Sequence, residues 1–365
     1  MISNIQTAPE VAPEEVLLTK ILQKKLENTD QNTVLGASIM EYRLHYISGS
    51  PYYNGTIIFQ NGDTKEVSFI PFDKAEGKKV CDIYTYSTNI CDERVLRPWY
   101  ISYCEDICEH IICYDRFHYS LRYWLPRWTK FNSVKDAYGL PHSVIKTQIS
   151  KLLKSVNNIH KSGLLHLSLS DISNYVVIDN NWYIINVGGN LKTLNLSNRQ
   201  QMVIKDFQNF GNMLEKNVLL DTSWRERNDF LNTFANNVSP NRLVLILLDN
   251  VFTKSSYDRL QMFSKIHHEW KDRSRNCNML NNAISNGVFN CYITNGGWDK
   301  VPMGNVLSQV YQFSNKYDGQ QITSLLKFCR NVFEHYYQYT GNVKIIENEM
   351  RQLWPGFLER LLYYY

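Results

Sequence analysis

The stretch "IHKSGLLHLSLSDISNYVVIDNNWYIINVGG" (residues 159–189) contains local patterns that together indicate how the middle of the chain folds. It begins in a segment with helical spacing of apolar residues, 143–163, which closes on Gly163 as a helix C-cap. Two β-rich runs follow, "YVVI" (175–178) and "WYIINV" (182–187), and the turn "DNN" joins them. The stretch therefore predicts a long helix, a polar loop and a β-hairpin, in that order.

The segments on either side of this stretch differ from each other. Upstream, residues 45–72 alternate β-rich runs with Gly, Asn and Asp turns, which predicts two or three antiparallel strands, and "HIICYDRF" (110–117) predicts another. Apolar residues with helical spacing predict an amphipathic helix over 13–28. After about residue 200 nearly every segment is compatible with a helix. The chain is thus predicted to be β-rich first and helical afterwards.

Composition limits the class of protein. The 365 residues are 44% hydrophobic and 20% charged, which is typical of a globular chain with two or three domains. A net charge of +4 permits nucleic-acid binding but excludes a polybasic binder. The eight cysteines are scattered without a CxxC pair, which favours free thiols in a reducing compartment. No apolar run reaches the ~18 residues of a membrane helix, and the start of the chain lacks signal-peptide order. We expect a cytoplasmic protein without membrane contact.

Three motifs in this order resemble the protein kinase family. His166 stands where the family has the histidine of its catalytic loop, and "NVG" (186–188) stands where it has the magnesium-binding DFG turn. "DFQNFG" (206–211) resembles the start of a buried helix whose aspartate, here Asp206, holds the catalytic loop. The resemblance implies an α+β, two-lobed kinase-like fold.

The residues that phosphoryl transfer needs are replaced at these positions. Ser168 stands for the catalytic-loop aspartate, Asn186 for the DFG aspartate and Ile70 for the lysine that contacts the nucleotide phosphates. An amide holds Mg²⁺ less well than a carboxylate does. The resemblance therefore implies a pseudokinase without kinase activity. Binding of ATP or ADP without a metal stays open, a scaffold role is the alternative, and no cofactor is required.

The remaining residues resemble the kinase-extension nuclease (KEN) domain that the inositol-requiring kinase/endoribonuclease of the unfolded-protein response shares with ribonuclease L. The matching segments, in order, are "GGWDKVP" (296–302), "NKYDGQQITSLLKFCRNVFEHYYQY" (315–339) and "LWPGFLERLLYYY" (353–365). The resemblance implies four parts: an N-terminal tail and helix (1–40), a pseudokinase N-lobe (41–118), a pseudokinase C-lobe (119–270) and an all-α KEN ribonuclease domain (271–365).

The family's cleavage residues carry over to Tyr317, Arg330, Asn331 and His335. A histidine titrates near neutral pH and suits the general acid, and a guanidinium matches phosphate oxygens bidentately. The tyrosine is the family's candidate partner of the 2′-OH, although a phenol with a pKa of about 10 is a weak base at pH 7. Asn331 can hold the phosphate or the 2′-OH, and it shares a helix face with His335. That face points away from the predicted apolar stripe of Ile322, Leu325, Leu326, Cys329 and Phe333. No metal is implied.

Each of these residues also has a plainer interpretation. Arg330 and Glu334 are four residues apart and could form a surface ion pair. His335 could simply be packed, and Tyr317 is one of 24 tyrosines. His267 and His268 are interpreted as a feature of the domain boundary rather than as metal ligands.

Two functions fit these patterns. The first is an endoribonuclease that cleaves stem-loop or single-stranded RNA to 2′,3′-cyclic phosphate and 5′-OH ends, and that is switched on when the kinase-like part forms a homodimer. The second is a non-catalytic homologue that associates with an active relative and regulates it. Residues 267–365 hold ten Lys and Arg against eight Asp and Glu, a balance of only +2, which predicts weak or selective RNA binding.

Overall fold

The computed structural model describes residues 21–25, 33–34, 37–45, 51–235, 238–272, 277–293, 296–313, 317–338 and 342–365. By packing, these residues form two compact units. The first unit draws on residues 1–134, 147–222 and 231–248. The second unit draws on residues 135–146, 223–230 and 249–365. The predicted domain boundaries at 40, 118 and 270 stay predictions.

The strands of the described residues all lie before residue 191. They are β1 (Ile21–Lys25), β2 (Thr33–Val34), β3 (Ala37–His45), β4 (Tyr53–Phe59), β5 (Thr64–Asp73), β6 (Tyr100–Cys104), β7 (Glu109–Asp115), β8 (Tyr119–Ser120), β9 (Leu164–Leu165), β10 (Tyr175–Ile178), β11 (Asn181–Ile184) and β12 (Gly189–Asn190).

An antiparallel sheet dominates the first unit. Its strands lie in the order β1-β3-β4-β5-β7-β6, and β2 pairs with β3 at one end. The turn from β4 to β5 contains Gly62 at φ +86°, a conformation that glycine adopts without strain. The antiparallel strands predicted within 45–72 and at 110–117 are confirmed as β4, β5 and β7.

The helix predicted over 13–28 is wrong where the structure describes it. Residues 21–25 form β1, which pairs antiparallel with β3, so that Ile21 lies opposite His45. The other residues of that predicted helix lie outside the described residues. The apolar pair Ile21–Leu22 fits a strand as well as a helix, and pairing with β3 decides between them because it satisfies the backbone groups.

The α-helices of the described residues lie between residue 77 and residue 364. They are α1 (Gly77–Ser87), α2 (Leu121–Thr129), α3 (Ser143–Lys161), α4 (Leu196–Met213), α5 (Arg225–Thr233), α6 (Pro240–Leu248), α7 (Ser256–Lys271), α8 (Asn278–Ser285), α9 (Asn305–Phe313), α10 (Ile322–His335), α11 (Val343–Leu353) and α12 (Phe357–Tyr364). A strand-rich part followed by a helical part confirms the α+β class.

The middle stretch folds as its local patterns predict. Helix α3 ends just before Gly163, which has φ +77° and closes the helix in the left-handed region. Asp179 and Asn180 both have positive φ, which two-residue hairpin turns require, and they join β10 to β11. The polar loop between the helix and the hairpin contains His166 and Ser168.

Each unit has its own apolar core. In the first unit, one buried cluster lies between β3, β4, β5, β6 and β7, and a second joins α1 to that sheet and to β10. In the second unit, the core is built from α7 to α12 around the fully buried Trp298. Buried Arg259 on α7 fastens this core, because its Nε lies 2.6 Å from Glu347 and its Nη2 lies 3.0 Å from Glu359. None of the helices described here is long and apolar enough to cross a membrane.

Candidate active site

Helix α10 carries three of the four predicted cleavage residues. Its buried side includes Ile322, Leu325, Leu326 and Cys329, as the predicted apolar stripe requires, together with Phe328 and Val332. Arg330, Asn331 and His335 occupy its last two turns. Packing of the apolar stripe therefore fixes the direction in which these three polar residues leave the helix.

Tyr317 lies on the segment before α10, and aromatic packing fixes its ring. The ring stacks on Tyr311 at a centroid distance of 5.4 Å and meets Phe328 edge-on at 5.4 Å. Below it, the indole Nε1 of Trp298 donates to the carbonyl of Asp318 at 3.0 Å. A side chain at Gly319 would collide with Asp299, so this turn needs glycine. The core of the second unit thus holds this segment in place.

Three of the four predicted residues form one hydrogen-bonded chain. Arg330 Nη1 donates to Asn331 Oδ1 at 2.5 Å, and Asn331 Nδ2 donates to Tyr317 Oη at 2.6 Å. Asn331 is predicted to face away from the apolar stripe, and the residue is nevertheless only 9% exposed. The amide lies inside the unit because Tyr317 covers it and satisfies its donor.

His335 ends α10, one helical turn beyond Asn331. Its ring packs against Phe313 at a centroid distance of 5.8 Å. Its Nδ1 is buried and has no hydrogen-bond partner among the described residues. The imidazole is therefore oriented by packing rather than by a hydrogen bond to its Nδ1.

The ion pair considered as the plainer interpretation of Arg330 is also present. Arg330 Nε lies 2.8 Å from Glu334 Oε1, and His268 Nε2 lies 3.1 Å from the same oxygen. The Nε–H does not point at that oxygen with hydrogen-bond geometry, so the contact is an attraction between charges. Both side chains are partly exposed, which limits the pair to about 0.2–1 kcal/mol. The pair holds the guanidinium without occupying its Nη1.

His267 directly precedes His268 on α7. Burial and the nearby positive charge of Arg330 lower its pKa to about 4. Within the described ranges, no group of three or more His, Cys, Asp and Glu residues could hold a metal ion. Cys81, Cys91, Cys104, Cys108, Cys113 and Cys329 are free thiols.

The replaced kinase positions lie together in the first unit. Ile70, Ser168 and Asn186 line one cavity of about 540 Å³, which we call the cleft cavity. Asn174 Nδ2 donates to the Ser168 carbonyl at 2.9 Å, and Asn186 Nδ2 donates to Asn174 Oδ1 at 2.9 Å. Asn186 has φ +64°, a conformation in which asparagine is enriched. The amide therefore keeps the backbone shape of the turn while it replaces the carboxylate.

Asp206 has the holding role predicted for it. Its carboxylate accepts hydrogen bonds from the backbone N–H of His166 at 2.8 Å and of Leu167 at 3.0 Å. His160 Nε2 lies 3.1 Å from the same carboxylate. Burial opposes the charged form, but the hydrogen bond and charge of His160 outweigh it and lower the pKa of Asp206. The loop is thus fixed although its catalytic carboxylate is replaced.

The cleft cavity does not fit a magnesium nucleotide at these positions. The Oδ1 atoms of Asn186 and Asn174 already accept hydrogen bonds, from Tyr114 Oη at 2.9 Å and from the Asn186 amide. Ile70 supplies no cation for phosphates, and Ser168 supplies no carboxylate. Two neutral amides bonded to each other leave few oxygen lone pairs for a hard cation.

Sequence reasoning missed several of these neighbours. Tyr114, which bonds to Asn186, is 72 residues away from it along the chain. Asp299 accepts from Tyr311 at 2.7 Å, and this hydrogen bond, together with burial, raises the pKa of Tyr311 to about 12. Phe313 gives no signal in the sequence beyond being apolar at the end of a predicted helix.

Comparisons with known proteins agree with the C-terminal resemblance. Residues 258–362 match the sequence profile of the family described as Ribonuclease 2-5A. No curated protein matches the chain. Among solved structures, a crystal structure of Rad53 1-466 in complex with AMP-PNP is similar at 14% identity, over 65% of this chain and 65% of that chain, with a TM-score of 0.39. The matched residues include Tyr317, Arg330, Asn331 and His335.

Proposed function

We propose that this chain is a metal-independent endoribonuclease that acts through Tyr317, Arg330, Asn331 and His335. The observation that carries the proposal is the hydrogen-bonded chain from Arg330 through Asn331 to Tyr317, inside a segment that matches a ribonuclease family. An isolated surface ion pair would not require a buried asparagine to bridge an arginine and a tyrosine.

The proposed reaction uses the nucleophile that RNA itself carries. The 2′-oxygen attacks the adjacent phosphorus, the bond from phosphorus to the 5′-oxygen breaks, and the products are a 2′,3′-cyclic phosphate and a 5′-OH. Tyr317 and Asn331 hold the 2′-OH, whose proton leaves to water, either directly or through the Tyr317 oxygen as the phenol releases its own proton to water. Arg330 stabilises the charge on the phosphorane oxygens, and His335 gives its proton to the departing 5′-oxygen.

The first unit is proposed to be a pseudokinase that serves as a dimerisation platform. Its cleft cavity lacks the catalytic base, the metal carboxylate and the lysine of phosphoryl transfer at Ser168, Asn186 and Ile70. ATP or ADP could still enter without a metal, and cleavage would not require it. We propose that two copies associate to activate cleavage, and that they do so in the cytoplasm.

One observation favours the non-catalytic alternative. Glu334 neutralises part of the charge of Arg330, and Asn331 already bonds within the chain. A protein locked in this way could bind an active relative and regulate it rather than cleave RNA. The two functions differ in whether the purified chain alone cuts RNA.

The deciding experiment measures cleavage of an end-labelled stem-loop RNA by the full chain in EDTA over a concentration series. We expect cleavage that rises with protein concentration, leaves cyclic-phosphate ends and falls about 10²–10⁴-fold in His335→Ala, the range for losing one general acid. His118→Ala is the matched control, because that histidine is half exposed and lies in the first unit.

Two results would oppose the proposal. Absence of cleavage at every concentration would remove the autonomous enzyme and favour the regulatory alternative, which inhibition of an active relative on mixing would support. Cleavage that EDTA abolishes would remove the metal-free mechanism.

A further inference from the structure

Phe313 differs from the other apolar residues of its helix. Val306, Leu307 and Val310 of α9 are buried in the core of the second unit, whereas Phe313, the last residue of α9, is 75% exposed. Leaving a phenyl ring in water forgoes about 1.5–3 kcal/mol of burial free energy. Single exposed apolar residues are common and need no explanation by themselves. What distinguishes Phe313 from other exposed apolar residues is the residue that its ring contacts.

The ring of Phe313 touches His335. The two ring centroids lie 5.8 Å apart with 43° between the planes, so the phenyl flanks the imidazole while most of its own surface stays open. Four residues after Phe313, Tyr317 ends the hydrogen-bonded chain that begins at Arg330. The candidate site thus has polar groups around Asn331 and an open aromatic surface beside its proposed acid.

The role of His335 identifies which part of an RNA would lie near this surface. The general acid contacts the departing 5′-oxygen, which belongs to the nucleotide on the 3′ side of the cleaved bond. A ring beside the acid is therefore beside that nucleotide rather than the one that becomes the cyclic phosphate. Every base has a π face, so an open phenyl can stack on it without selecting its sequence.

Charge gives an independent reason to look for stacking. Residues 267–365 carry ten Lys and Arg against eight Asp and Glu, and Glu334 pairs with Arg330 at the site. Few uncompensated cations means few phosphate contacts and little affinity from counterion release. Recognition of unpaired RNA commonly depends on aromatic stacking instead.

We propose that Phe313 is the stacking surface for the base of the nucleotide on the 3′ side of the cleaved bond. This inference rests on the proposed function, since it uses His335 as the acid. The ligand is an unpaired base in a loop or single strand, because a base within a duplex has no free face. Phe313 thereby favours unpaired RNA without a strong preference for one base.

The test uses one RNA in which all 2′-hydroxyls but one are methylated, so that a single phosphate can be cleaved. A second RNA is identical but lacks the base of the nucleotide on the 3′ side. With the intact RNA, Phe313→Ala should lower kcat/KM about 5- to 150-fold, the range for losing one base stack. Phe313→Trp should restore it.

The abasic RNA separates stacking from a general loss of structure. The native chain should lose the same factor on this RNA, and Phe313→Ala should lose nothing further. Phe131→Ala is the matched control, because Phe131 is 69% exposed and belongs to the first unit. Equal losses by Phe313→Ala on both RNAs, or no loss on either, would overturn the inference.

The failure of this inference can be told apart from failure of the proposed function. If the native chain cleaves and His335→Ala does not, but Phe313→Ala behaves as the native chain, only the inference fails. If the native chain does not cleave, binding of the fully methylated forms of both RNAs decides. Base-dependent affinity that disappears in Phe313→Ala supports stacking, and affinity independent of the base excludes it.

Discussion

The two units each contain a chain of polar side chains bridged by one asparagine. In the first unit, Asn186 accepts from Tyr114 and donates to Asn174. In the second unit, Asn331 accepts from Arg330 and donates to Tyr317. The bridging amide is the same, but the first chain consists of neutral groups, whereas the second ends on a permanent cation.

The first network can hold a loop in place, whereas the second also contains a charged side chain. Asp206 fixes the loop of His166 and Leu167 beside the cleft cavity, and the neutral residues Ser168 and Asn186 line that cavity. The candidate ribonuclease site keeps a guanidinium and an imidazole within two turns of α10. A hydrogen-bond network alone can hold a loop, but acid–base chemistry also needs groups that carry charge or exchange protons.

The largest expected effect concerns the architectural side. Asp206→Ala would leave the buried N–H of His166, the N–H of Leu167 and the ring of His160 without their acceptor. We expect a loss of about 3–5 kcal/mol in the free energy of unfolding, as for breaking a buried charge pair. Chemical denaturation measures it, with Asp106→Ala as the control, since Asp106 is exposed and does not have positive φ. A loss below about 1 kcal/mol would mean that the first unit no longer needs this carboxylate.

The next effect concerns the chemical side. Arg330→Lys keeps the charge but removes the planar fork that bonds to Asn331 and can grip a phosphate. We expect kcat/KM for RNA cleavage to fall about 10- to 100-fold, the equivalent of one or two charge-assisted hydrogen bonds. Arg225→Lys, at an exposed arginine of the same unit, should leave it unchanged. Equal activity of Arg330→Lys would reduce this residue to a structural ion pair.

A third prediction concerns the pH dependence of stability near the second chain. His267 has a pKa of about 4 in the folded protein, lowered by burial and then by Arg330, His268 and Lys271, with Glu334 opposing. An unfolded histidine has a pKa of about 6.5, so the unfolded state binds the extra proton between these values. The free energy of unfolding should therefore fall as the pH drops from 6.5 to 4, by on the order of 1–2 kcal/mol after solvent screening.

Urea denaturation at pH 7.0, 5.5 and 4.0 measures this loss by comparison with His267→Gln. The variant should lack that part of the decline, while declines from other groups, such as buried His166, stay common to both proteins. Parallel curves for the two proteins would contradict the assignment.

The smallest effect comes from restoring a carboxylate to the cleft cavity. Asn186→Asp removes the Nδ2 donor to Asn174 and places carboxylate oxygens opposite its Oδ1. We expect a loss of about 1 kcal/mol in the free energy of unfolding. Phosphoryl transfer should not appear, since Ser168 and Ile70 are unchanged. Transfer of phosphate from labelled ATP by Asn186→Asp would contradict this expectation. It would show that Ser168 and Ile70 do not by themselves prevent phosphoryl transfer.

Local patterns predicted much of the fold because their causes are local. The helix α3 with Gly163, the hairpin through Asp179 and Asn180, and the apolar stripe of α10 each follow from neighbours within a few residues. The helix predicted over 13–28 is wrong at residues 21–25 because the apolar spacing there fits two structures, and the deciding partner, β3, lies elsewhere in the chain. The roles of Tyr317, Arg330, Asn331 and His335 stay predictions.

The sequence by itself determined the order of strands and helices, the residue types at Ile70, Ser168 and Asn186, and the four residue types of the candidate site. Only the tertiary structure decided that Asn331 is buried under Tyr317, that Tyr114 bonds to Asn186 and that Phe313 flanks His335. The physical reason is distance along the chain. Periodicity and turn residues act between near neighbours, whereas these contacts join residues 14, 72 and 22 positions apart, and packing of whole helices and strands brings them together.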